Sequence, residues 1–169
     1  MRNDRFTIAL TTSLVAACLM AAPSVSAAAS SHLWSHRFGS TLDDVGSAVA
    51  LDPSGMVITG GTFTGTVDFG GGGLVSAGSR DIYVAKYNSA GVHQWSRRFG
   101  GTSSDAIADI AIDASGNVII AGNFSGTVDF GGGNLVSAGS SDVFVAKYNS
   151  GGAHQWSQRF GSTLNDQAP

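Results

Sequence analysis

Three histidines recur at one spacing. His32, His93 and His154 each open the pattern His-x-Trp-Ser, 61 positions apart. Imidazoles gathered on one face would suit a metal ion. Each, however, begins its own strand-like run, and one strand apiece on separate units sets the three rings far apart. The expectation is a strand-surface histidine beside a packed Trp34, Trp95 or Trp156. Carboxylates are the second candidate. Asp52, Asp68, Asp81, Asp105, Asp113, Asp129 and Asp142 invite a calcium reading, but the alternating acidic spacing of an EF-hand loop is missing. Asp52 and Asp113 open turns, where the carboxylate accepts a backbone N–H two residues on. Asp68 and Asp129 stand beside glycine runs, where they would cap the loop or ligate locally. Gly70–Gly73 lacks the following Gly-Lys-Ser/Thr of a phosphate loop. No catalytic, cofactor-binding or metal-binding residue is assigned, and no cofactor is expected.

The elements that would position these groups come from composition and repetition. There is no Glu and there are only two Lys, so strong exposed helix formers are nearly absent. Gly, Ser, Thr and Val dominate, which favours strands and tight turns. The net charge of −3 and the lack of a basic patch argue against nucleic acid as a partner.

Residues 1–27 read as an export signal. Arg2 and Arg5 precede the uncharged run Phe6–Met20, Pro23 breaks it, and Val25-Ser26-Ala27 supplies a small-residue cleavage site. The run is shorter than the ~20 residues a bilayer span needs, so no membrane span is expected. Cleavage after Ala27 fits best and after Ala29 nearly as well. The alternative is a lipoprotein signal, because Val15-Ala16-Ala17-Cys18 matches a lipobox; against it, the apolar stretch continues through Leu19 and Met20. Cys18 is the only cysteine, so export leaves residues 28–169 without disulfides or thiol chemistry.

Sliding the chain by 61 residues aligns 32–92 with 93–153 at 38 of 61 positions, and a partial third copy occupies 154–169. The octapeptide GTVDFGGG at 65–72 returns unchanged at 126–133. A long fixed period signals stacked supersecondary units. Each unit reads as two β-hairpins: Val45–Leu51 with Met56–Thr62, then Asp81–Tyr87 with Val92–Phe99. The second copy places them at Ile107–Ile112 with Val118–Gly122, and Asp142–Tyr148 with Ala153–Phe160. Thr66–Phe69 and Leu74–Ser76 would add a small extra hairpin. On an alternating strand His93, Trp95, Arg97 and Phe99 would share a face. Four antiparallel strands per unit make an all-β propeller blade, and two units make an incomplete propeller of about two blades.

The run AVALDPSGMVITGGTFTGTVDFGGG followed by DIYVAKYNSAGVHQWSRRFGG resembles the bacterial β-propeller repeat family called SBBP, for seven-bladed beta propeller. The resemblance covers nearly all of residues 32–169 and implies an exported propeller. It brings no agreed activity or catalytic residues. The departure is copy number, since closure takes at least about four blades. His32–Phe38 is expected to be a lone last strand of a missing blade, and the whole to be the opening of a longer propeller.

Residues shared by every copy are read as scaffold, so singular functions belong where copies differ. Those positions are His36/Arg97/Gln158, Arg80/Ser141, Asp43/Ser104/Asn165 and Ala48/Asp109, which form no recognisable constellation. The expectation is an exported, non-enzymatic binding or structural platform for a protein or glycan ligand, with self-association completing the ring. The alternative is a secreted hydrolase or lyase with its site in the channel; a degenerate or truncated frame is a third reading.

Overall fold

The computed structural model describes residues 32–168; residues 1–27, read above as an export signal, lie outside them together with Cys18. All the elements belong to the unit Leu33–Pro169. The first sheet contains β1 (Asp44–Leu51), β2 (Val57–Phe63), β5 (Asp81–Tyr87) and β6 (His93–Phe99), in the order β1-β2-β5-β6. Between β2 and β5, β3 (Thr66–Asp68) and β4 (Gly73–Val75) pair as a small hairpin. The second copy repeats this as β7 (Ala106–Ile112), β8 (Val118–Phe124), the hairpin β9 (Thr127–Asp129) and β10 (Asn134–Val136), then β11 (Asp142–Tyr148) and β12 (His154–Phe160). All pairings within these sheets are antiparallel. The fold is all-β, built of four-stranded antiparallel blades, as an incomplete propeller requires.

Turn chemistry sets the registers. Asp52 Oδ1 accepts the N–H groups of Ser54 (2.8 Å) and Met56 (3.0 Å), closing the β1–β2 turn. Asn88 Oδ1 takes those of Ala90 (3.0 Å) and Val92 (2.9 Å) before β6. The extra hairpin is locked in the same way. Asp68 Oδ1 accepts from Gly70 (2.7 Å) and Gly72 (3.0 Å), and Tyr87 Oη donates to Phe69 O (2.8 Å). Val67 and Phe69 are thereby driven into the core while the glycines stay outside. This is what the repeated octapeptide does.

The sheets stack face to face. The rear face of the first presents Ile58, Ile82, Val84 and Phe99; the front face of the second answers with Ile107, Ile110, Val118, Ile120, Phe144 and Tyr148. Gly60 lies under the side chains of Ile107 and Ile110, where a larger residue would collide. At a packing density close to that of organic crystals, this seam is the main apolar core.

The repeat supplies an internal control on what a neighbour does. Ile110 is 6 % exposed, whereas Val49, its counterpart on the front of the first sheet, is 70 % exposed. Phe99 is 5 % exposed, and Phe160, its counterpart on the rear of the second sheet, is 51 % exposed. The repeat positions are equivalent, and the covering sheet accounts for the difference in exposure.

Two expectations change. Residues 32–38 form no strand, because among the described residues no strand lies beside them to share backbone hydrogen bonds. They lie instead on the front of the first sheet, with Phe38 stacked on Tyr87 (ring centroids 5.4 Å apart) and 5.6 Å from Phe69. And His93 does not share the face of Trp95. A bulge between Lys86 and Tyr87 pairs Tyr87 with His93 but Lys86 with Trp95, which turns His93 to the front and leaves Trp95 and Phe99 at the rear.

Candidate functional site

Polar chemistry concentrates at the two ends of β5. Near its C-terminal end Lys86 projects from the rear face and donates to Asp52 Oδ2 (2.9 Å) and to Ser150 O of the second unit (3.2 Å). Trp95 Nε1 donates to the same carbonyl (3.2 Å). Gly152, two residues on, sits at φ 82 with the Trp95 ring and Arg97 against it; the left-handed backbone and the close ring both call for glycine. Both side chains of the Lys86–Asp52 pair are 5 % exposed. Burial opposes ionisation of Asp52, but Lys86 and the N–H groups of Met56 and Ser54 hold its carboxyl below the usual carboxylate range. Outside the pair, Asp52, Ser54, Met56, Lys86, Gln94, Trp95, Ser150 and Gly151 line a groove of about 450 Å³. It offers an aromatic edge, an amide and turn carbonyls. Its one amine is committed to an ion pair, so the groove is equipped to hold a ligand rather than to attack one.

At the other end of β5, Asp81 is fully buried and accepts from Arg98 Nη1 (2.6 Å) and Ala77 N (2.8 Å). Asp105, from the second unit, accepts from Gly101 N (2.9 Å) and Ser125 N (3.1 Å). Burial pushes Asp105 up to about 6, against the pull of those two N–H groups. The second unit repeats the motif, with Arg159 Nη1 2.6 Å from Asp142 Oδ2. Burial of Asp142 is outweighed by the Ala138 N–H and Arg159, which hold it below the usual range.

The histidines are not brought together. His32 is exposed at the first described position. His93 packs edge-on to Tyr87 (5.8 Å) beneath Gly70 and Gly71, and His154 packs in the same way on Tyr148 (5.8 Å) beneath Gly131 and Gly132. They are supports for the glycine hairpins. Asp68 and Asp129 are loop acceptors, each held low by the N–H groups of its glycines. Asp113 repeats the turn of Asp52 and pairs with Lys147 Nζ at 2.8 Å. Among the described residues no group of three His, Cys, Asp or Glu side chains is placed to hold a metal ion.

Of the positions that differ between copies, the Arg80/Ser141 and Asp43/Ser104/Asn165 sets meet, and the others stay apart from them. His36 Nε2 bonds Gly91 O (2.9 Å) where Arg97 covers Gly152, and Gln158 is exposed. Arg80 pairs loosely with Asp43 (3.7 Å), while Ser104 and Asn165 bridge Arg80 and Ser141 through the backbone. Ala48 packs against the seam core, and Asp109 is exposed. The Lys86–Asp52 pair was not anticipated from sequence. Its signal is there: the chain's two lysines occupy one repeat position, inside the otherwise apolar strands IYVAKY and VFVAKY.

No protein-family model matches the chain. It is 30 % identical over 95 residues, 54 % of its length, to the regulatory protein FlaEY of Caulobacter vibrioides. It is 28 % identical over 158 residues, 80 % of its length, to the uncharacterized WD repeat-containing protein L264 of Acanthamoeba polyphaga mimivirus. The chain spans only about a tenth of each relative, 10 % and 11 % respectively. The likeness to a WD repeat protein agrees with the blades seen here, since such repeats build four-stranded propeller blades.

Proposed function

We propose that this chain is part of an exported β-propeller of the SBBP type, acting as a binding or structural platform and not as an enzyme. The observation that carries this reading is how the polar side chains are used. Lys86, Asp52, Asp81, Arg98 and Asp105 are tied to one another or to backbone groups across and beside the seam. Asp68, Asp129, His93 and His154 brace the hairpins. None is poised as a nucleophile beside a free base. The WD repeat relative supports a propeller architecture.

Residues 1–27 direct export in this reading, with the mature chain starting at Ala28. N-terminal sequencing of secreted material tests that part, and a start at a lipid-modified Cys18 would replace simple secretion by surface anchoring. For the platform, the full chain is offered to a glycan array and to a panel of chromogenic esters and glycosides. Saturable glycan binding that Trp95→Ala weakens, without turnover, supports the reading. Turnover that a single substitution abolishes would overturn it.

A further inference from the structure

The seam between the sheets contains the complement of each face left open. The rear face of the second sheet repeats that of the first: Lys147, Trp156 and Phe160 stand where Lys86, Trp95 and Phe99 stand one unit earlier. In the seam, Lys86 and Trp95 both donate to Ser150 O. One unit back, the equivalent acceptor is Ser89 O, on the first unit of the same molecule. We propose that a second copy of this chain docks head to tail, its second sheet laying Lys147, Trp156 and Phe160 on the front of the first sheet around Ser89.

Three observations carry the choice of occupant. Both faces are apolar and open at the rims: Val49, Leu51, Trp156 and Phe160 are 70, 67, 42 and 51 % exposed. The Lys147–Asp113 pair is 24 % and 28 % exposed where Lys86–Asp52 is 5 % and 5 %, so the second unit has the pair but not its cover. And Ser89 O already holds a stand-in. Trp34 Nε1 donates to it at 3.0 Å, as Trp95 does to Ser150 O at 3.2 Å. Trp34, His36 and Phe38 thus occupy on the first sheet the place that Trp95, Arg97 and Phe99 occupy on the second.

Residues 33–40 are consequently an internal competitor. They supply the side chains of an outer strand but have no sheet behind them among the described residues, so a complete blade can displace them. Such contacts are heterologous, and rings or open filaments follow according to whether the rotation closes. Two copies of the described residues supply about four blades, the smallest closed propeller.

The competitor gives the test its sign. Sedimentation equilibrium of the full chain is compared with Trp34→Ala/Phe38→Ala and with Trp156→Ala/Phe160→Ala, each checked for native β-sheet circular dichroism. All four side chains lie outside the seam core, but Phe38 packs on Phe69 and Tyr87, so Trp34→Ala alone carries the same test should the double variant lose the native spectrum. The proposal requires Trp34→Ala/Phe38→Ala to strengthen association, and Trp156→Ala/Phe160→Ala to weaken it, each by about tenfold or more in Kd. A strap variant that stays monomeric, or one that associates less than the parent, overturns the proposal. So does unchanged association after loss of Trp156 and Phe160, which would assign the contact to another surface.

Discussion

Phe99 and Phe160 occupy one repeat position in two environments, and their truncation separates the energy of the neighbouring sheet from that of the strand. Phe99 is 5 % exposed, its ring 5.1 Å from Tyr148 and 5.8 Å from Phe130 across the seam; Phe160 is 51 % exposed. A Phe side chain buries roughly 200 Å² when fully covered. The difference in exposure is therefore about 90 Å², worth about 2 kcal/mol at ~25 cal/mol per Å². Phe99→Ala also leaves a cavity between close-packed sheets, so its cost falls in the range of about 3–5 kcal/mol. Phe160→Ala should cost about 1–3 kcal/mol, with no enclosed cavity. Urea unfolding of both variants at high dilution measures the gap, with m-values confirming equal exposed surface. Equal costs at every dilution would mean that Phe160 is as covered as Phe99 in the isolated chain, and the two-environment reasoning would fail. At higher concentration the gap narrows if a second copy covers Phe160.

Four further outcomes follow from the charges and turns. Lys86→Met strands Asp52 in the seam and should cost about 3–5 kcal/mol; Lys147→Met, whose partner Asp113 is partly exposed, should cost clearly less in the same urea series. Tyr87→Phe removes the bond to Phe69 O and should cost about 1–3 kcal/mol by leaving that carbonyl unpaired. Stability should peak in mildly acid solution. Asp105 goes from an ordinary 3.8 to about 6 on folding, so its contribution, about 3 kcal/mol, is present below about pH 4 and lost as pH rises through about 6. Asp52, Asp113 and Asp142 are held low by Lys86, Lys147 and the Ala138 N–H with Arg159, so theirs is present above about pH 4 and lost as pH falls below it. A Tm that climbs steadily from pH 5 to pH 8 would contradict the Asp105 assignment, and Asp105→Ala should flatten the decline between about pH 4 and 6. Gly152→Ala should destabilise more than Gly151→Ala, since only Gly152 combines φ 82 with the Trp95 ring.

Much of the fold was legible because the repeat writes it twice. Asp52-Pro53-Ser54-Gly55 and Asn88-Ser89-Ala90-Gly91 mark the hairpins by turn chemistry alone, and the strand limits fall within a residue or two of those read from the sequence. What escaped depends on three-dimensional neighbours. The bulge at Tyr87 that turns His93 to the front face leaves no mark in an alternating pattern. Residues 33–38 have strand composition, but a strand needs a partner, and composition does not supply one. The burial of Lys86 depends on the carbonyl of Ser150, 64 positions away, which no local pattern reveals. Asp105 is likewise an ordinary loop residue until the sheets close over it.

The central claim is that the two units pack rear face to front face, and it can be tested by nuclear Overhauser contacts between them. Isotope-labelled protein should show cross-peaks between the Phe99 and Tyr148 rings, 5.1 Å apart at their centroids, and between the Ile110 δ-methyl and Gly60. Both contacts join the two four-stranded sheets and neither can arise within one of them. Cross-peaks of both kinds in a protein with two intact four-stranded sheets are the expected result. Strand-pairing contacts within each sheet, with both of these missing, would show blades that do not stack, and the account would be wrong.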